Sequence, residues 1–339
     1  MKAAYVGILS PGSTSRMRAE WLRKLTPKSD WEWIDTDVPF QQSARAWRTL
    51  AFRLNAGKAV DRINETIASR VAGQSFDLVW VDKGVFLRRD CVEQLRSAAR
   101  RLVHYTPDTA FHANRSGHFE SSISLYDLVV TTKSFEKKEY QKLIEPHRLL
   151  VTTQGFDPLV HYPRSDSDDR RAEAVFVGLA EPDRERCVTE LLAHDIPVRL
   201  GGRGWQPFVH RNRSNANLRF DGDDLFGDEY AAKLSGSWIG LGLLSKRFPE
   251  LHTTRTFEIP ACGAVLATPA TTETRAFFND DEAIFFSDYK GLASRIRGLL
   301  DDPGLLARLA AGGRRRVQTD SRDYPAILGS ILSQTDRIE

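Results

Sequence analysis

Glu258-Ile-Pro-Ala-Cys-Gly263-Ala-Val-Leu-Ala-Thr268 leads from a helical turn through a glycine into a short apolar strand. A glycine at that joint lets the chain reverse where a helix stops and a buried strand begins. Glu250 stands eight residues before Glu258. Two carboxylates at that spacing, the second feeding a strand, suit a pocket that hydrogen-bonds the hydroxyls of a sugar nucleotide.

On both sides of this stretch, short apolar runs alternate with longer helical patterns. That alternation is the signature of an α/β protein with parallel sheets. Strands are expected at 3–9, 31–35, 76–81, 101–105, 128–131 and 149–152, then at 174–177, 198–200, 218–220, 238–243, 264–267 and 283–286. Helical periodicity covers 15–25, 43–71 and 89–100, and resumes at 184–194, 227–234, 289–300 and 303–317. A chain of 339 residues exceeds what one core usually fills, so two domains are expected. The charged, aperiodic run Tyr162-Pro-Arg-Ser-Asp-Ser-Asp-Asp-Arg-Arg171 reads as the linker between them. The resulting division is 1–160, a linker at 161–172, 173–318, and a C-terminal helix at 319–339 that returns toward the first domain. Ligands of such sheets bind beyond the carboxyl ends of the strands, so two domains facing each other would enclose a cleft.

Hydrophobic residues at 41%, charged residues at 27% and a net charge of +3 describe an ordinary globular protein and give no case for nucleic acid. Cys91, Cys187 and Cys262 are widely spaced, which suits free thiols in a reducing compartment and offers no zinc pattern. The first apolar run is too short for a signal peptide, and no later one approaches a membrane span. A cytoplasmic location is expected. The segment 43–62 combines Trp47, Leu50 and Leu54 with Arg45, Arg48, Arg53 and Lys58. It reads as a core-packed helix with a solvated basic face, or as a peripheral contact with anionic lipid.

In the second half, strand 174–177 ends in Gly178, and Arg184 and Arg186 follow at the start of the next helix. Glycine admits a ligand to the backbone, and arginines near a helix N-terminus suit phosphate oxygens, although many α/β units look the same. Gly201-Gly202-Arg203-Gly204-Trp205 either wraps a nucleotide base or only connects strand to helix. Asp221 and Asp223 form an Asp-x-Asp, as a metal site or a turn would, and no metal is assigned. Thr254 is expected to cap a short helix and leave free N–H groups beside Arg255 and Thr256 for a diphosphate. Glu258, one turn on, can accept from ribose hydroxyls, and Glu250 can reach the donor sugar.

In the first half, Ser10-Pro-Gly12-Ser-Thr-Ser15 has one glycine where a dinucleotide fingerprint needs three. Strand 101–105 runs into Thr106-Pro-Asp108. Asp108 can orient or deprotonate an acceptor hydroxyl, or can make a turn. His104, His112 and His118 are near one another in sequence and carry no metal assignment.

Arg255-Thr-Phe-Glu-Ile-Pro-Ala-Cys-Gly263 resembles the signature of the CgeB-like glycosyltransferases, relatives of glycosyltransferase family 4. The resemblance extends through Gly155-Phe-Asp-Pro158, Val175-Phe-Val-Gly178 with Arg186, Gly202-Arg-Gly-Trp205, Phe285-Phe-Ser-Asp288 and 309–317. It implies a GT-B fold of two facing Rossmann-like domains, with a nucleotide-diphosphate sugar as donor substrate in the C-terminal one and no separate cofactor. It also implies that Glu250 and Glu258 match the family 4 Glu-x7-Glu pair, and that Arg186, or Arg184, faces the diphosphate. Asp108 resembles the aspartate that CgeB-like proteins carry after this strand. Leu251-His252-Thr253 departs from the usual Gly-Phe-Gly.

The expected function is a hexosyl transfer from a nucleotide sugar to a hydroxyl acceptor, such as a glycan, a lipid-linked sugar or a small molecule. It would be metal-independent, with retention implied by the family. Catalytic roles fall to Asp108 and Glu250. Donor-binding roles fall to Gly178, Arg184, Arg186, Gly202, Gly204, Trp205, Arg255, Thr256 and Glu258. A nucleotide-sugar epimerase of the same fold and a non-catalytic carbohydrate-binding protein are the other two readings.

Overall fold

The computed structural model describes residues 1–166 and 169–338. Ser167 and Asp168 of the expected linker, and the C-terminal Glu339, lie outside the described residues. Every expected strand forms. The first sheet holds β1 (Lys2–Gly7), β2 (Asp30–Asp35), β3 (Phe76–Asp82), β4 (Ala99–Thr106), β5 (Leu128–Thr131) and β6 (Leu149–Val151). The second holds β7 (Arg171–Val177), β8 (Val198–Gly201), β9 (Leu218–Phe220), β10 (Ser237–Leu241), β11 (Val265–Pro269) and β12 (Ala283–Phe286).

All pairings between these strands are parallel. Such strands are covered by helices on both faces, so they read as continuous apolar runs. The strand orders are β2-β1-β3-β4-β5-β6 and β12-β11-β10-β7-β8-β9. Each sheet therefore reverses its winding once, between β1 and β3 in the first and between β7 and β10 in the second. A doubly wound sheet opens its ligand crevice at that reversal, beyond the carboxyl ends of the two strands.

The chain divides into one unit of Met1–Thr153 with Pro325–Glu339 and another of Gln154–Tyr324. The division falls before the charged 161–172 segment, whose described residues are fastened to the second unit. Arg164 N and Ser165 N both donate to Ser235 Oγ, at 2.5 and 3.0 Å, and Arg170 donates to Gly263 O. The first unit has one apolar cluster, built around Val79, Val81, Leu102 and Val129 with the helices over them. In the second unit, Phe176, Leu200 and Ile239 belong to one cluster and Val175, Phe257 and Leu266 to another. No helix among the described residues is long and apolar enough to cross a membrane.

One expected helix is broken. The 43–71 segment forms two helices, Arg45–Leu54 and Lys58–Val71. Between them Asn55 turns left-handed at φ 51° and Gly57 lies at φ 96°. Asn55 Nδ2 donates to Arg115 O at 3.0 Å, so a tertiary bond holds a cap that helical periodicity does not register.

Candidate functional site

At the reversal point of the second sheet, two guanidinium groups share one ring. Arg184 Cζ and Arg255 Cζ each lie 5.4 Å from the Phe176 centroid. Phe176 is in β7. Arg184 comes from the helix Pro182–Ala193, and Arg255 starts the helix Arg255–Ala261. Arg184 Nη1 donates to Leu179 O at 2.9 Å and pairs with Glu181 Oε1 at 3.1 Å. Burial first and the charge of Arg255 second pull the Arg184 guanidinium down to about 10, against the opposing pull of Glu181, Glu250 and Asp183. An anion beside these two cations would offset both the burial of Arg184 and its repulsion by Arg255.

The network continues to Glu250. Ser245 Oγ donates to Glu181 Oε2 at 2.9 Å, and Ser245 N donates to Glu250 Oε2 at 3.3 Å. Glu250 therefore belongs to the same polar cluster as Arg184, as its place after β10 requires. Glu258 lies deeper. It is 4% exposed, accepts from Tyr230 Oη at 2.7 Å, and has its other oxygen 3.7 Å from His161 Nε2. His161 Nδ1 accepts from Asp157 N at 3.0 Å, which leaves the ring proton on Nε2, toward Glu258.

Several expectations need correction. Arg186 is not the inward cation: its side chain is 74% exposed and paired with Asp183, whereas Arg184 is 5% exposed. Residues two apart on a helix point to nearly opposite sides. The Arg255–Ala261 helix does not offer a row of free N–H groups either. Thr256 N donates to Thr253 O, and Phe257 N and Glu258 N both donate to Thr254 O. Thr254 makes no side-chain cap. Thr256 is fully buried, and its hydroxyl accepts from Thr253 N at 3.1 Å.

The glycine loop is a packing joint. Gly202 has φ 109°, and a Cβ there would stand 2.4 Å from Gly178 O. Gly204 has φ 88° and lies against Ala180. Trp205 is fully buried and donates from Nε1 to Gly178 O at 2.8 Å, with its ring at an edge to Phe176 and Phe208. It braces Gly178 from the core. Gly178 in turn leaves room for Arg255, whose Nη1 would be 3.2 Å from a Cβ at that position. Asp221 is engaged by Arg199 at 2.9 Å and Lys233 at 3.3 Å, and among the described residues no group of three His, Cys, Asp or Glu side chains could hold a metal.

In the first unit, Asp108 follows β4 and pairs with Lys83 at 2.7 Å. Burial opposes its ionisation, but the facing Lys83, with help from Lys133 and Arg18, holds its carboxyl below the ordinary range. Lys83 and Gly84 are both left-handed, at φ 68° and 63°. A non-glycine residue there is strained, and such strain persists where the surroundings over-determine it. Lys83 N donates to Tyr105 O, and His104 Nε2 donates to Lys83 O at 2.8 Å.

Residues 184–328 match the family described as Glycosyl transferase-like. The second unit carries a glycosyl transferase-like domain. No curated protein sequence matches the chain. Among solved structures, sucrose-phosphate synthase from Thermosynechococcus elongatus is similar over 99% of this chain and 98% of its own, at 16% identity and a TM-score of 0.69. Anabaena HepE, in complex with UDP and glucose, is similar over 98% and 99%, at 13% identity and a TM-score of 0.65. A glycosyltransferase from Rickettsia africae is similar over 99% and 98%, at 12% identity and a TM-score of 0.68. The fold is GT-B.

Four residues that support these groups carry no sequence signal for that role. In the glycosyl transferase-like domain, His252 occupies the departure from Gly-Phe-Gly. It is buried, pairs through Nδ1 with Glu273 at 2.5 Å and accepts from Gln154 N at 3.0 Å. Glu181 and Ser245 link Glu250 to Arg184, with no motif to announce them. In the first unit, the fully buried Glu136 accepts from Ala110 N, Phe111 N and His112 Nδ1 at 2.8, 3.0 and 2.9 Å, and so fixes the loop that carries Asp108.

Proposed function

We propose that the protein transfers a sugar from a nucleotide-diphosphate sugar to a hydroxyl acceptor. The observation that carries this reading is the pairing of buried Arg184 with half-buried Arg255 over Phe176, at the reversal of a sheet in a glycosyl transferase-like domain. A pyrophosphate placed there meets two guanidinium groups, and both gain as negative charge grows on the leaving group. The anomeric C–O bond to the diphosphate breaks, a C–O bond to the acceptor oxygen forms, and the nucleoside diphosphate departs. The acceptor's hydroxyl proton is lost as the new bond forms. Asp108, ionised through Lys83, accepts a hydrogen bond from that hydroxyl and orients it.

Glu250 holds a hydroxyl of the donor sugar, and Glu258 lies on the ribose side. The arginines supply the cationic charge, so the reaction is read as metal-independent. Retention at the anomeric carbon, membership of the CgeB-like group and a cytoplasmic setting belong to the same proposal. The HepE structures with UDP, glucose and UDP-glucose make uridine nucleotides the first to try.

The test is a thermal-shift panel of nucleoside diphosphates and their sugar conjugates, with and without chelator. A ligand that binds only the folded state raises the melting temperature by mass action. One nucleotide series should stabilise the protein with chelator present, and Arg184→Ala should reduce the shift at the same ligand concentration. No shift from any member would overturn the proposal.

A further inference from the structure

The first unit contains a cavity of about 470 Å³ lined from Val6 to Arg115, at the reversal between β1 and β3. Lys83 and Asp108 line it, and so do three phenyl rings. Phe40 and Phe86 stack at 5.7 Å with 8° between their planes, and Phe52 stands edge-on to both, at 5.1 and 6.0 Å. Phe52 is 71% exposed although it lines the cavity, so a large ring is held at the mouth with one side uncovered. Isolated exposed side chains are common, but one continuous with two further rings and a concave wall is the form of a ligand site.

Of the charged groups around this pocket, Asp82, Lys83, Asp108 and Arg115 are each in an ion pair, and Asp37 and Arg53 line it as well. Asp82 is held by the fully buried Arg18 at 2.7 and 2.9 Å, Arg115 by Glu120 at 2.8 Å, and Lys83 by Asp108 at 2.7 Å. An ionic ligand would therefore compete with existing ion pairs at four of these six groups. A polyhydroxylated one would lose water against the three phenyl rings without a partner on that side. A planar apolar group gains burial and edge or offset stacking on the rings. Lys83 engages Asp108 Oδ2, which leaves Oδ1 for a hydroxyl carried by that group.

We infer that this pocket takes an aryl alcohol, with its ring against Phe40, Phe52 and Phe86 and its hydroxyl toward Asp108. The inference deepens the transfer reading and rests on it for the acceptor's role. In that role the aryl hydroxyl oxygen forms the new C–O bond, its proton is released, and the nucleoside diphosphate leaves. Binding of the aryl group does not depend on that step.

The experiment titrates the full chain with 2-naphthol, methyl α-D-glucoside and phosphatidylglycerol vesicles, and measures nucleoside diphosphate binding on the same samples. The expected result is saturable 1:1 binding of 2-naphthol, weakened at least tenfold by Phe52→Ala, retained by Phe52→Trp and weakened severalfold by Asp108→Asn. Phe52 is exposed, so its alanine variant folds. Equal 2-naphthol affinity in wild type and Phe52→Ala would overturn the inference. So would saturable binding of the glucoside alone, or vesicle binding through Phe52 with no saturable naphthol site. The nucleotide measurement separates the two readings. Naphthol binding with the stated sensitivity but no nucleotide binding would keep the pocket and remove the transferase. Nucleotide binding with transfer only to the glucoside would do the reverse.

Discussion

Arg184 and Arg255, far apart in the chain, bring their guanidinium carbons to the same 5.4 Å from the centre of one phenyl ring, that of Phe176. Neither arginine would choose the other's company in water. The fold holds them together by anchoring Arg184 on Leu179 O and Glu181, and by leaving Gly178 without a side chain beside Arg255.

This pair predicts unequal effects for two arginines that look alike in sequence. Arg184→Ala should raise the dissociation constant for the bound nucleoside diphosphate about 10- to 100-fold, in line with loss of a charge-assisted contact. Arg186→Ala removes an exposed pair with Asp183 and should change it less than about twofold. Titration calorimetry on both variants checks the contrast. Equal losses would place Arg186 at the ligand after all.

For Asp108, the facing Lys83 outweighs burial, so the carboxyl titrates below its ordinary value of 3.8. A carboxyl with a depressed folded-state value stabilises the native state above its unfolded value and loses that contribution as pH falls through the folded one. Asp108 should therefore stay ionised throughout the range from neutrality to about pH 4. Lys83→Met should move its titration upward. Carbon-13 NMR of the side-chain carboxyl reads the value directly, and an unchanged midpoint in Lys83→Met would refute the pairing.

His104 carries a second pH signature with a different window. Burial lowers its imidazole to about 4, against the raising effects of the Lys83 carbonyl and Asp82. The unfolded chain takes up a proton near pH 6.5 and the native state does not, so stability should fall as pH drops from about 6.5 to 4. The loss from this one group is on the order of 3 kcal/mol. Urea unfolding across that range should show a steeper decline in wild type than in His104→Gln, once the lower baseline of the variant is subtracted.

Gly202 and Gly204 should separate in the same way. An alanine at 202 would put Cβ 2.4 Å from Gly178 O in a backbone at φ 109°, and should destabilise the chain by about 3 kcal/mol or more. At 204 the neighbour is a side-chain carbon at 3.3 Å. There the loss should be about 1–2 kcal/mol, from the left-handed backbone alone. Urea midpoints of the two variants test the order.

Much of the architecture was legible because parallel strands covered on both faces must be runs of apolar residues. Val79, Val129 and Leu266 are buried for that reason. The helix break at Asn55 was not legible, since it depends on a hydrogen bond to Arg115. Nor was Glu136, an unremarkable acid in the chain that becomes the anchor of the Asp108 loop by sitting beneath three donors.

Local pattern was enough for the alternation of strands and helices and for two sheets, because hydrophobic period and turn chemistry act over a few neighbouring positions. Packing chose between residues that the pattern treats alike. It turned Arg184 inward and Arg186 outward, made Trp205 and Thr256 braces, and set Lys83 in a left-handed conformation against Asp108. Those choices depend on which surfaces meet across long stretches of chain, and a short window of sequence holds no record of that.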